Sequence, residues 1–415
     1  MSRVLILTLV FPPDGVSTAQ IVGDLALDLQ SHGHDVTVVT TTPHYNRDDI
    51  ARARQPLTRF WGRVLQRSDY SGIITYHILV PQKGPNVALR LFGWAVFHVM
   101  STIVSASLVG RPDVILAPSP PLTIGVNAWL ISLLRRCPYI YNVQEIYPDI
   151  AVKLGALRNR RAISLLLRLE RFIYDHARFI TVIGPSMKRN LEDKGVPPAK
   201  LSVIPNGVDV ASFSAAPKDN DFARKHGLQD RFVVTYAGNM GPSTGLETVI
   251  DAAELLQDLP ALAIMLIGGG IRADDIRALA ETRKLHNLHI LPHHPYEFMS
   301  YVYGSSDVCL ALQAGGTGSD VLPSKVYRIM AFGRPIVATA DPDSDLARLI
   351  EEADCGAVVP PGDPGAMAAM LRHSYLHQAE WRKKGRSGRA CVEQHYARAS
   401  TSARYDELIR AAASA

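Results

Sequence analysis

Cysteine is scarce in this 415-residue chain, and its four copies, Cys137, Cys309, Cys355 and Cys391, are scattered with no C-x-x-C and no partnering histidines. That excludes a disulfide-stapled scaffold and fits reduced thiols in a cytosolic protein. Low-complexity tracts and internal repeats are missing, and 47% hydrophobic with 20% charged residues is a globular composition. Disorder is excluded. At this length two domains with a ligand-binding cleft are the default expectation.

Acidic residues are sparse in the first half. Residues 1–205 carry 23 Lys and Arg against 14 Asp and Glu, whereas residues 206–415 carry 21 against 25. Much of the excess comes from Arg52, Arg54, Arg59, Arg63 and Arg67, then from Arg158, Arg160, Arg161, Arg168, Arg171 and Arg178. They read either as a solvated helix face or as a surface meeting anionic lipid headgroups, where each nearby cation is worth about 1 kcal/mol. The basic runs lack interleaved aromatics and any nucleic-acid-binding module, which argues against nucleic acid as a partner.

Long apolar runs are few. The opening MSRVLILTLVFPPDG is short, leads to a Pro-Pro turn and has no small-residue cleavage site, so it reads as a first buried strand and not as a signal peptide. Residues 91–109, LFGWAVFHVMSTIVSASLV, carry no formal charge and are about long enough to span a bilayer. They contain His98 and several hydroxyls and run into RPDVILAPSPP, a buried-strand pattern that a span would tear out of its sheet. The expectation is a buried or partly exposed helix, with peripheral membrane contact as its functional form.

What is present is strand–helix alternation. Strands are expected at 4–10, 35–40, 72–79, 114–117, 139–143 and 179–183, with a first helix at 23–32. A second series runs at 232–237, 263–267, 288–291, 308–312, 336–338 and 357–359. Two doubly wound parallel α/β halves result, joined near VIPNGVD at 203–209, with a helical C-terminal stretch. Parallel sheets of this kind bind ligands beyond the carboxyl ends of their strands.

Two glycine-rich turns stand where such ligands sit. At 315–335, GGTGSDVLPSKVYRIMAFGRP, the glycines Gly315, Gly316 and Gly318 allow close backbone approach, and Pro323, Ser324 and Lys325 read as the first turn of a helix. Free N–H groups and the lysine ammonium would form an anion site fit for a diphosphate leaving group, although a loop capping an ordinary helix fits the same residues. Gly238, Asn239 and Gly241 follow a strand and precede a helix expected near Ser243, Thr244 and Gly245, which makes a second backbone-lined anion site. This is not a G-x-G-x-x-G dinucleotide fingerprint.

Taken in order, FPPDGVSTAQI, HGHDVTVVTTTPHY, RPDVILAPSPP, VQEIYPDIAVKLG and IPNGVD in the first half, with VTYAGNMG, the turn at Gly268 to Gly270, LPSKVYRIMAFGRPIVA and VVPPGDP in the second, resemble a known family. It is the retaining, nucleotide-sugar-dependent glycosyltransferases of family 4, and within it the bacterial surface-polysaccharide enzymes, including fucosamine-type and colanic-acid-type transferases. The resemblance implies the GT-B fold: an acceptor-binding domain at 1–205, a nucleotide-sugar-binding domain at 206–390, both Rossmann-like and facing across a cleft, and a helix at 391–415 returning to the first.

The resemblance also assigns roles. Lys325 and Arg328, with Gly238, Asn239, Gly241, Ser243, Thr244, Gly268, Gly270, Gly318, Asp320, Leu322, Pro323 and Ser324, would hold the donor. Gly15 would approach the donor phosphates, with Ser17 and Thr18 beside it either as ligand contacts or as helix caps. Glu145 would orient or deprotonate the acceptor, and Asp149 would face it; a cap or salt-bridge role is the alternative for both. Many relatives have two glutamates separated by seven residues, where this chain has Asp320 and Arg328, so a carboxylate grip on the donor ribose is impossible at Arg328. An arginine and a lysine of many relatives are replaced by Asn239 and Thr244, which puts more weight on Lys325, Arg328 and backbone N–H groups.

These departures look like those of enzymes that transfer N-acetylated hexosamines or deoxyhexosamines from UDP to a lipid-linked saccharide at the cytoplasmic face of the inner membrane. The resemblance implies no divalent cation or other cofactor, and His44, His293 and His294 lack metal-ligand spacing. Two other functions fit the same fold: an epimerase acting on UDP-N-acetylhexosamine, and a non-catalytic scaffold of a polysaccharide-assembly complex.

Overall fold

The structure is a computed structural model that describes residues 1–44, 49–62, 64–82, 87–295 and 298–414. Tyr45, which ends one of the quoted motifs, and Arg63 of the basic set lie outside the described residues. The chain divides into two compact units, Met1–Pro205 with Ala399–Ala415, and Asn206–Arg398.

The first unit runs β1 (Arg3–Leu7), α1 (Ser17–Ser31), β2 (Asp35–Thr41), α2 (Asp49–Arg54), β3 (Thr58–Trp61), β4 (Leu65–Tyr70), β5 (Ile73–Ile78), α3 (Val87–Ser107), β6 (Val114–Pro118) and α4 (Ile124–Arg135). It continues through β7 (Tyr139–Val143), α5 (Asp149–Lys153), α6 (Arg160–His176), β8 (Phe179–Val182), α7 (Pro185–Asp193) and β9 (Leu201–Val203). The sheet order is β3-β4-β5-β2-β1-β6-β7-β8-β9. Its central strands are parallel and buried on both faces, as their unbroken apolar runs require. Among the described residues the antiparallel pairs are β3–β4 and β4–β5, at the edge that ends in the β3–β4 hairpin.

That hairpin corrects one expectation. Arg52 and Arg54 do lie on a helix, α2, but Arg59 and Arg67 stand on strands β3 and β4, so this arginine group is no single helix face. The first helix also begins at Ser17, six residues before the expected start. Gly23 then falls inside α1, where a Cβ would lie 2.7 Å from Pro12 Cγ. A helix-breaking residue sits mid-helix because the helix packs directly on the Pro-Pro turn.

The second unit runs α8 (Asp221–His226), β10 (Phe232–Ala237), α9 (Glu247–Glu254), β11 (Leu262–Ile267), α10 (Ala273–Arg283), β12 (Leu288–Leu291), α11 (Met299–Ser305) and β13 (Val308–Leu312). Then come α12 (Lys325–Ala331), β14 (Ile336–Thr339), α13 (Asp345–Glu352), β15 (Gly356–Val359), α14 (Pro364–Leu376) and α15 (Gln378–His395). All its strand pairs are parallel, in the order β12-β11-β10-β13-β14-β15. Strand order reverses between β10 and β13 here, and between β1 and β6 in the first unit. Ligands of open α/β sheets bind outside the carboxyl ends at such switch points.

The last helix, α16 (Arg398–Ala413), belongs almost wholly to the first unit. The returning segment therefore starts at Ala399, not at 391, because residues 391–395 continue α15. Tyr405, Ile409 and Ala412 recur at helical spacing and enter the core with Val4, Ile6 and Leu29. Tyr405 Oη accepts from Asn142 Nδ2 at 2.8 Å, and Asp406 meets His34 Nε2 at 2.6 Å.

Candidate functional site

In the second unit, four loops meet at the carboxyl edge of the sheet, after β10, β11, β13 and β14. They are tied together by backbone hydrogen bonds: Gly238 N donates to Ile267 O (2.9 Å), Met240 N to Gly269 O (2.7 Å), and Ala314 N to Ser243 O (2.9 Å). Gly316 N donates to Asp341 Oδ2 at 2.8 Å. The glycines are demanded by this crowding. Gly268 has φ +153°, and a Cβ there would lie 1.9 Å from Gly238 O; at Gly270, φ +144°, it would lie 2.6 Å from Asn239 Oδ1. Gly268→Ala combines a clash with a strained backbone and is expected to destabilise the second unit by about 2–5 kcal/mol. Gly269→Ala, whose Cβ meets nothing within 4 Å, should stay within about 1 kcal/mol of wild type, and urea unfolding of both variants checks the pair.

Lys325 opens α12 and points at this loop cluster. Its Nζ lies 3.8 Å from the centroid of the Tyr236 ring, a cation–π contact at the end of β10. A Cβ at Gly238, φ +155°, would fall 2.6 Å from that Nζ. Tyr236 is itself fixed by donating its hydroxyl to Asn239 O at 2.6 Å. Burial, reinforced by the neighbouring Arg328 charge, pulls the Lys325 pKa from 10.5 down to about 7. A cation held against an aromatic face, and destabilised as a cation, is ready to gain from an arriving anion.

The other expected donor residues fall into two groups. Gly238, Gly268 and Gly270 carry the backbone close to Lys325 and its loops. Gly318 is buried, and its Cβ would lie 2.6 Å from Ser344 Cβ, so packing explains this glycine. Asp320 is fully buried beside Ser319 Oγ at 3.0 Å, and Leu322 is buried too. Thr244 is buried and gives its hydroxyl to Gly241 O at 2.7 Å, while Gly241 leaves room for the exposed Asn239 side chain, whose Nδ2 would lie 2.8 Å from a Cβ there. Pro323 precedes Ser324, which is the N-cap but makes no capping bond through its side chain. The helix expected near Ser243 begins at Glu247.

In the first unit, Gly15 and Ser17 lie in and after the loop that follows β1. Ser17 is the first residue of α1 and Val16 its N-cap, so neither Ser17 nor Thr18 caps the helix. Glu145 is half-buried in the loop after β7. Asp149 opens α5 and pairs with Lys194 Nζ at 3.0 Å; the same ammonium bonds both oxygens of buried Glu170, at 2.7 and 2.9 Å. The salt-bridge alternative accounts for Asp149.

Sequence reasoning missed a polar cluster beside Gly15. Asp14 is buried and accepts from His44 N at 2.9 Å, and His44 Nδ1 is 2.9 Å from Thr41 Oγ1. His44 lines a narrow recess with Leu9, Val80, Arg90 and Trp94. The signal was there: Asp14 and His44 each closely follow a predicted strand. Among the described residues, one trio has metal-ligand geometry: exposed His373, His377 and Glu380 at the junction of α14 and α15. Trp381 Nε1 donates to His373 Nδ1 at 3.2 Å.

Known proteins resemble this chain in sequence and in fold. Residues 18–207 match the glycosyl transferase 4-like domain, and residues 231–376 match the glycosyl transferases group 1 domain. The chain is 26% identical over 382 residues to the protein named as the colanic acid biosynthesis glycosyl transferase WcaI of Escherichia coli (strain K12), covering 90% of this chain and 92% of that one. It is 26% identical over 288 residues to the glycosyltransferase WbjE of Pseudomonas aeruginosa, covering 69% and 71%. The crystal structure of Anabaena HepE in complex with UDP and glucose superposes with a TM-score of 0.75, 14% identity and coverage of 99% and 100%. With two parallel Rossmann-like sheets and both domain families matched in order, the chain belongs to the glycosyltransferases of the GT-B fold.

Proposed function

We propose that this glycosyltransferase moves a sugar from a UDP-linked donor to a lipid-linked saccharide in the building of a surface polysaccharide, with retention of anomeric configuration and without a divalent cation. The donor is held by the second unit and the acceptor by the first. One observation carries the reading: Lys325 Nζ, seated on the Tyr236 ring beside Gly238, at the switch point where the loops after β10, β11 and β13 meet. There an ammonium and close-approach backbone suit a departing diphosphate. The relative named for colanic acid biosynthesis supports the pathway, and the UDP bound by HepE supports the nucleotide.

In this scheme the leaving phosphate oxygen takes the acceptor's proton on the same face of the sugar, so no enzymic nucleophile is needed. Glu145 orients the acceptor hydroxyl. The sugar is an N-acetylated hexosamine or deoxyhexosamine, and the chain works peripherally at the cytoplasmic face of the inner membrane. Calorimetric titration with UDP, GDP and ADP in metal-free buffer tests the donor half. The expected result is a clear UDP preference that weakens in Lys325→Ala; absence of any nucleotide binding would point to a scaffold instead.

A further inference from the structure

Helices α3, α4 and α6 form one layer over the first unit's sheet. Asn127 of α4 bonds Ser101 and Thr102 of α3, each at 2.6 Å, and Trp129 of α4 packs edge-on against Phe172 of α6 at 4.9 Å. The outer side of this layer is apolar. Phe92 and Val99 on α3, Leu133 and Leu134 on α4, and Leu165 on α6 are each more than half exposed. Such a run of large side chains on adjacent helices exceeds the scattered apolar residues of an ordinary surface.

The layer's charge has one sign. Neither α3 nor α4 contains an Asp or Glu, and of the two acids on α6, Glu170 is buried against Lys194 while Asp175 pairs with Arg171 at 2.8 Å. His98 is half-buried against Thr123 at 2.8 Å, and burial lowers its pKa to about 4, so it adds no charge near neutrality. Against this stand Arg136 at the end of α4, and Arg160, Arg161 and Arg168 on α6, all exposed. Arg160, Arg168 and Arg171 line a shallow groove with Leu167.

We infer that the outer face of α3, α4 and α6 docks on a bilayer containing anionic phospholipid, its leucines and phenylalanine entering the headgroup boundary and its arginines meeting the phosphates. The inference rests on the lipid-linked acceptor proposed above and adds the surface by which the enzyme reaches it. Although α3 is long and apolar enough to cross a membrane, Phe97, Ser101, Val104 and Ser105 tie it into the unit's interior. It lies along the surface and does not span. A second copy of the chain is a poorer occupant, because a two-fold interface would bring arginine-rich faces together without acids to pair them.

The test is co-sedimentation of the full chain with phosphatidylcholine vesicles, with and without phosphatidylglycerol, beside UDP titration of the same samples. Wild type should partition at least about tenfold more strongly onto the anionic vesicles. Arg161→Glu/Arg168→Glu should lose at least about tenfold of that binding, and Phe92→Ser/Leu133→Ser should lose a comparable amount, with UDP affinity unchanged in both. Wild type that stays in solution with either vesicle, or variants that bind as wild type does, would overturn the docking face while leaving the donor reading intact. Dimerisation by light scattering that both variants abolish would overturn it in favour of a second copy. Vesicle binding without UDP binding would instead uphold the face and sink the donor reading.

Discussion

Lys325→Ala is expected to lower kcat/KM for sugar transfer by roughly 10²–10³-fold, with most of the loss in kcat. In the proposed function the ammonium faces the position where diphosphate charge grows as the glycosidic bond breaks, so its interaction is stronger in the transition state than with bound donor. Removing one such preorganised donor costs about 2.7–4 kcal/mol in comparable sites, and each 1.4 kcal/mol is tenfold. The variant should fold at least as well as wild type, because a lysine whose pKa has fallen to about 7 is an ammonium the fold resists. Lys325→Arg should restore little. The slot between the Tyr236 ring and Gly238 fits a compact ammonium, and a planar guanidinium there would collide with the Gly238 backbone. Steady-state kinetics of both variants decide it; a wild-type kcat in Lys325→Ala would remove the leaving-group site from this place.

The sequence showed the strands of both sheets because parallel strands buried on two faces are unbroken apolar runs. Tyr139–Val143, Phe232–Ala237, Leu288–Leu291 and Val308–Leu312 fall where the run itself does. The β3–β4 hairpin was invisible for the opposite reason. It lies at the edge of the sheet, and TRFW and LQRSDY offer no apolar run to mark them as strands. The glycine turns were legible as close-approach loops at the strand ends, but not the reason for each glycine. Gly318 answers to Ser344, and Gly268 to Gly238 O, contacts far apart in sequence. Tyr236 was missed as the seat of Lys325 because the two lie on different elements, and only the β10–β13 switch brings them together. The salt-bridge alternative for Asp149 could not name its partner, since nothing local announces Lys194.

Nucleotide binding should also carry a proton, and its pH dependence follows from the lysine. Free, Lys325 has a pKa of about 7, against 10.5 for an unhindered lysine. A diphosphate beside Nζ favours the ammonium and raises that value. Below pH 7 the ammonium is already present in the free protein, and binding takes up little from it. Between about pH 7 and the raised value, binding must draw a proton from solution, so affinity falls with rising pH, by at most tenfold per unit. UDP is fully ionised over that window, because a terminal phosphate loses its second proton near pH 6, which leaves the lysine as the titrating group. The same shift acts on stability in the other direction. The unfolded chain holds the lysine proton up to about 10.5, so the burden of the buried ammonium is full below pH 7 and lifts as pH rises from 7 toward 10.5. Titrations at about pH 8.5 in two buffers of different ionisation enthalpy should therefore report close to one proton taken up per UDP, and Lys325→Met should take up none. Equal uptake by both proteins would mean that another group meets the phosphate.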